Sequence, residues 1–252
     1  MPSPAVMALL FVVGALASAV NSVAGGGSLI SFPTLIGLGV PQLPANATNS
    51  VALWPGSLAG AIGFLNQLGP VKQHLRSLFL PTLLGSIAGA FLLVLTPESA
   101  FRVVVPILIF LATLLLAFQP RIKKWASSRH HRLAVGWGMA LQLLVAIYGG
   151  YFGAGMGIMM LAVFGLIMEG SIHEMNAVKT WLSLLINIAA STMFLIKGLV
   201  LPWHAVALTA GSILGGYFAA RWSQKVDSEI LRKGIVVLGF AMTAWFTYGV
   251  LK

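Results

Sequence analysis

Eight nearly unbroken apolar runs of 18 to 21 residues decide what this chain can fold into: Pro4–Val23, Ser50–Leu68, Leu75–Leu95, Ala100–Phe118, Leu133–Gly150, Ala177–Ile196, Trp203–Ala220 and Leu231–Leu251. A helix rises about 1.5 Å per residue, so each run is long enough to cross the roughly 30 Å hydrocarbon core of a bilayer. Charged residues make up 8% of the chain, against about 25% in a soluble domain. Such a chain cannot clothe a water-facing surface, and the same hydrophobicity excludes disorder. A membrane barrel would need runs of about ten residues that alternate apolar and polar positions. These runs are continuous and twice as long. The sequence predicts an all-α polytopic membrane protein with about eight long transmembrane helices. Pro4–Val23 has neither a basic leader nor a small-residue cleavage site, so it is expected to be the first span and not a signal peptide.

The formal net charge of +10 invites a nucleic-acid reading. The bases, however, sit in a few gaps between apolar runs, where membrane topology accounts for them. Nucleic acid is therefore not expected as a partner. The chain has no cysteine, which removes disulfides, thiolate zinc sites and iron–sulfur clusters. Clustered carboxylates are missing too, so neither a metal nor a cofactor is expected. Enzymatic signatures are absent: there is no HExxH, GxSxG or P-loop motif, and Asp227 is the sole aspartate.

Two further apolar stretches, Ser28–Val40 and Ile158–Met168, are too short to span, and each follows a glycine cluster. Backbone freed at such breaks has to be buried in protein or line a wet cavity. Shifting the chain by 130 positions superposes Ala24, Gly25 and Gly27 on Ala154, Gly155 and Gly157, and Asn46-Ala47 on Asn176-Ala177. The overlap from Ala24 to Arg102 contains 14 identities in 79 positions. The chain reads as two homologous membrane repeats, 1–118 and 133–252, joined by a basic linker, 119–132. Counting the short helices as crossings inverts the repeats and sorts the bases 11 against 3; treating them as re-entrant makes the repeats parallel and sorts them 9 against 5. The inverted arrangement fits the positive-inside rule better, with the basic linker cytoplasmic and both termini outside.

Two polar constellations carry candidate chemistry. The first is the pair of glycine turns, Gly25-Gly26-Gly27-Ser28 and Gly155-Met156-Gly157, each opening a short helix. Free N–H groups at a helix start in low dielectric suit an oxyanion, and Ser28 is expected to cap its helix. Close helix packing explains the same glycines. The second is the pair Asn46-Ala47-Thr48-Asn49-Ser50 and Asn176-Ala177-Val178-Lys179-Thr180. Asn46 and Asn176 are read either as N-caps or as ligands. Asn49 and Lys179 sit one turn further in, on the same helical face. A lysine inside a span costs several kcal/mol unless paired or hydrated, so Lys179 is a functional candidate, with snorkelling to the interface as the bland alternative. Glu169 and Glu174 are the nearest acids and are candidates for neutralising Lys179 or coupling protons. Pro55 is expected to kink its helix, with Ser57 re-bonding the freed carbonyl.

The AGGGS of Ala24–Ser28, the NATNS of Asn46–Ser50 and the second-half GAGMG and NAVKT resemble the TauE/SafE family of sulfite exporters across nearly the whole chain. The resemblance implies a bacterial inner-membrane secondary carrier for sulfite, organosulfonates or related sulfur anions, and substrate contact at Gly25, Gly26, Gly27, Asn46, Asn49, Gly155, Asn176 and Lys179. A homo-oligomer is compatible with it. The residues independently ask for an anion; sulfur comes from the resemblance. A passive anion channel and a non-transporting membrane assembly factor are the alternative functions.

Overall fold

The structure, a computed structural model, describes residues 1–23, 26–63, 69, 72–128, 134–169, 171–222 and 228–251. Ten α-helices and no strand occur among the described residues: α1 (Pro4–Val23), α2 (Ser28–Gly37), α3 (Gln42–Gly63), α4 (Lys72–Leu95), α5 (Glu98–Ser128), α6 (Val135–Tyr151), α7 (Met156–Ile167), α8 (Ile172–Ile196), α9 (Pro202–Trp222) and α10 (Ser228–Leu251). Gly25, Asn66, Asp227, Arg129, Arg132 and Lys225 lie outside the described residues.

Within the described residues each apolar run is helical, and both short stretches are short helices. Three boundaries differ most from expectation, and one is the start of α8 at Ile172, five residues before its apolar run. Helix α3 starts at Gln42, eight residues before the apolar run, because the Glu98 carboxylate accepts from the amides of Gln42 (2.7 Å) and Leu43 (3.3 Å) and so caps it from another element. Helix α5 continues through Gln119–Ser128 instead of ending at Phe118. Its extension exposes Arg121 and Lys124 and buries Ala126 against Gly165 of α7, so packing holds the helix together beyond the apolar run.

Among the described residues five helices are long and apolar enough to cross a membrane: Pro4–Asn21, Lys72–Leu95, Glu98–Ser128, Glu174–Ile196 and Arg232–Val250. Of the other three expected spans, α6 has 17 residues, and α3 carries Asn46, Thr48, Asn49 and Ser50 in its first half. Large apolar side chains point outward along the bundle, among them Ile107 at 64% exposure and Val237 at 70%. An aqueous surface does not tolerate such a belt; lipid does. The chain is a multi-pass membrane protein.

Tight crossings hold the bundle together. Helices α4 and α6 run in the same direction, with Gly85 against Leu143, Gly89 against Ile147 and Gly150 against Ser86. Between them, the Gln142 amide donates to the Thr82 hydroxyl at 3.0 Å. Helices α1 and α9 repeat this contact, with Gly14 against Leu208 and Gly211 and Gly215 against Phe11 and Ala15. Lipid tails offer no hydrophobic drive between helices, so close backbone approach and buried hydrogen bonds provide the cohesion. Helices α5 and α10 run antiparallel: Thr113 meets Gly239, Phe110 lies 6.0 Å from Phe240, and Arg232 donates to the carbonyl of Ala117 at 3.0 Å.

The remaining packing follows one scheme. Helix α3 lies on α9 and α8 lies on α4; α2 touches α1, α3 and α10, while α7 touches α6, α8 and α5; α3 and α8 pack on each other. Each of these pairings is matched when α1–α5 are exchanged for α6–α10. Helix α4 thus packs among second-half helices and α9 among first-half helices. One core cluster centres on Phe32, whose ring meets Phe152 edge-on at 5.5 Å and stacks on Phe246 at 6.2 Å. The other surrounds α7, with Leu78, Met160, Phe164 and Leu182.

Candidate functional site

In the first half, Gly27, not Ser28, occupies the cap position of α2, and no side chain caps that helix. The expected Ser28 cap is therefore replaced by a different bond: the Ser28 hydroxyl accepts from the Asn49 amide of α3 at 3.2 Å. Ser31, one turn further along α2, donates its hydroxyl to Asn49 Oδ1 and has the Gly27 carbonyl 3.3 Å away. Asn49 is 2% exposed and Ser31 fully buried, so α2 and α3 are fastened by a closed, neutral set of bonds.

Asn46 does not cap α3 either, because the helix has already begun four residues earlier. From the second turn its amide donates to the carbonyl of Tyr151 at 2.9 Å, reaching the residue that precedes the second-half glycine turn. Its Oδ1 is buried with no hydrogen-bond partner. Next along α3, the Thr48 hydroxyl accepts from the Leu201 amide at 3.0 Å, a second link across the halves. At the proline break, Ser57 bonds the carbonyl of Leu53 (3.3 Å), whereas Ser212 of α9 donates to that of Ala52 (2.7 Å). One carbonyl in the turn before Pro55 is thus bonded from a neighbouring helix.

The second half also opens a short helix after glycines, with different chemistry. The chain leaves α6 through Gly153 (φ 81°) and Gly155 (φ 77°), a left-handed conformation that any Cβ would strain, and enters α7 at Met156. Tyr148 pins this turn by donating its hydroxyl to the Ala154 carbonyl at 2.6 Å, and Gly155 rests on Ala112 and Leu115 of α5. Helix α8 is capped by Ser171 and Glu174 in a reciprocal capping box, so Asn176, like Asn46, sits past the cap. The Lys179 ammonium donates to Asn176 Oδ1 at 3.0 Å, its methylenes lie on Gly157, and the Thr180 hydroxyl bonds back to the Asn176 carbonyl at 2.8 Å.

Around Lys179, charge is unbalanced. Glu174 is engaged in capping, Glu169 is exposed at the end of α7, and the one ion pair among the described residues is Lys233–Glu229 at 2.8 Å. A half-buried ammonium is thereby left with a neutral amide as its hydrogen-bond partner.

Gly26, Gly27, Ser28 and Asn49 are brought together at the start of α2, and Gly155, Gly157 and Lys179 at the start of α7, with Asn176 bonded to Lys179 and Thr180 to Asn176 along α8. Asn46 bridges the two sets, while Glu169 stands apart. Ser31, Tyr148 and Glu98 complete the arrangement without having been foreseen; Ser31 was legible as the residue one turn after Ser28, but Tyr148 and Glu98 act through contacts that no local spacing announces. A cavity of about 380 Å³ opens elsewhere, between Met1, Pro2, Val6, Leu38, Leu201, Pro202, Trp203 and His204.

Comparison with known proteins adds the family. The chain is 28% identical over 243 residues to a "probable membrane transporter protein" of Haemophilus influenzae, covering 96% of this chain and 94% of that protein. It is 26% identical over 252 residues to the "probable membrane transporter protein YfcA" of Escherichia coli, covering 98% and 92%. With a "probable membrane transporter protein" of a Sinorhizobium species the figures are 24% over 237 residues, 94% and 90%. No solved structure matches the chain. The family model "Sulfite exporter TauE/SafE" matches residues 10–246, taking in both glycine turns and both polar helix starts, and on that match the chain belongs to the TauE/SafE family.

Proposed function

We propose that the chain is a secondary transporter that moves a small sulfur-containing anion, sulfite or an organosulfonate, across the bacterial inner membrane by alternating access. The observation that carries this reading is Lys179: an ammonium inside an apolar bundle, hydrogen-bonded to a neutral amide and lying against the first turn of α7. An unbalanced charge there is costly unless an anion joins it, and intramembrane ionisable groups mark transport pathways. Family membership supports sulfur oxyanions as the cargo class.

The antiparallel pairing of α5 with α10 supports repeats of opposite orientation, and with them a cytoplasmic α5–α6 linker and external termini. The units that would rock are not the sequence halves. Separating residues 1–118 from 133–252 would unpack α1 from α9 and α4 from α6. Bodies built as α1, α2, α3 with α9, and α6, α7, α8 with α4, keep those contacts. Glu169 and Glu174 are the acids expected to couple protons; Glu174 is held in its capping box, and the membrane potential acting on the anion needs neither.

The test is flux of labelled sulfite and sulfoacetate in proteoliposomes. Saturable uptake accelerated by the same anion on the far side is expected. Unitary currents would replace the carrier with a channel, and no flux of either anion would remove the transport reading.

A further inference from the structure

We infer that the chain holds one anion, on Lys179 and Asn176 of the second half, while the equivalent first-half residues form a neutral clasp that takes none. This rests on the transport reading and narrows its site. The two halves place equivalent residues at equivalent points: Asn46 and Asn176, Asn49 and Lys179, Ser28 and Ile158, Ser31 and Leu161 are each 130 positions apart.

In the first half three side-chain donors are engaged. The Asn49 amide goes to Ser28, the Ser31 hydroxyl goes to Asn49 Oδ1, and the Asn46 amide goes to the Tyr151 carbonyl. The polar atom left over is Asn46 Oδ1, a buried acceptor, which repels an anion. In the second half both serines are replaced by buried apolar side chains, Ile158 at 2% and Leu161 at 1% exposure. Neither position on α7 then offers residue 179 a hydroxyl, and that residue is a lysine. Its ammonium has three donors and uses one on Asn176. The first-half clasp, by contrast, is neutral. The duplicated backbone has thus been divided: one copy fastens α2 to α3, and the other keeps an unbalanced cation beside α7.

Titration of the purified chain in detergent with sulfite is the test. One anion per chain is expected, with Lys179→Gln weakening binding about 10- to 100-fold. Ser31→Ala is expected to keep the affinity within about twofold while lowering Tm. Should Lys179→Gln fail to fold, the triple change Ile158→Ser, Leu161→Ser, Lys179→Asn copies the clasp into the second half and is expected to abolish binding. Two anions per chain, wild-type affinity in either Lys179 variant, or loss of binding in a folded Ser31→Ala chain would overturn the one-site inference and leave the carrier reading standing. A wild-type chain that binds neither sulfite nor sulfoacetate overturns both.

Discussion

Lys179 and Asn176 stand one turn apart on α8, and the ammonium of the first meets the amide oxygen of the second at 3.0 Å. Their first-half counterparts make no such pair: Asn49 turns to α2 and Asn46 to Tyr151. This difference between repeated positions sets the first prediction.

Lys179→Ala is expected to reduce sulfite flux in proteoliposomes by about 10- to 100-fold, and Lys179→Arg to retain part of it, since a charge-assisted bond contributes about 1.5–3 kcal/mol and Arg keeps the charge. Melting of the detergent-solubilised variants separates this effect from misfolding. Removing an unbalanced buried charge is expected to leave Tm unchanged or raised. Wild-type flux in Lys179→Ala would take the residue out of the mechanism.

Asn46→Asp is expected to destabilise the chain more than Asn46→Ala. The alanine leaves the buried carbonyl of Tyr151 without its donor, a loss of about 1–3 kcal/mol. The aspartate, as a carboxylate, puts a charged acceptor against that carbonyl at a position 1% exposed, adding desolvation and repulsion. Thermal unfolding in a fixed detergent ranks the two.

Gly89→Ala is expected to destabilise by about 1–3 kcal/mol, because its methyl group would land on the backbone carbonyl of Ile147, which cannot move aside without opening the α4–α6 crossing. Gly234→Ala on α10 meets nothing within 4 Å and is expected to be neutral or stabilising by up to about 1 kcal/mol. Equal Tm shifts for the two would show that the crossing is not tightly packed.

Glu98→Ala is expected to lower stability by about 1–2 kcal/mol through fraying of the first turn of α3, since it removes the acceptor for Gln42 and Leu43. Faster amide exchange at residues 42–45, without change at the start of α8, would locate the effect.

All ten helices were legible as apolar runs, the two short ones included. Caps were not. The asparagines of NAT and NAV look like N-caps from their place before an apolar run, yet both lie past the first turn. Glu98 caps α3 from 56 residues away, and the Ser171–Glu174 box begins α8 before its apolar run. Apolar periodicity reports which residues avoid water, not where the backbone first turns helical. Pro55 was readable as a break, but its repair by Ser212 of α9 was not, because the bond joins residues 160 positions apart.

Sequence alone determined that the chain is a membrane bundle, that two glycine turns open half-length helices, and that a lysine stands where the other copy has asparagine. Those conclusions follow from hydrophobicity, length and the 130-residue offset, which are properties of the chain taken in order. Tertiary structure decided what the repeated residues do. Asn49 could satisfy itself only once α2 presented Ser28 and Ser31 to it, and Lys179 was left facing Gly157 because α7 presents apolar side chains there. Hydrogen bonds between helices depend on which faces the packing brings within about 3 Å, and that distance is set by the fold.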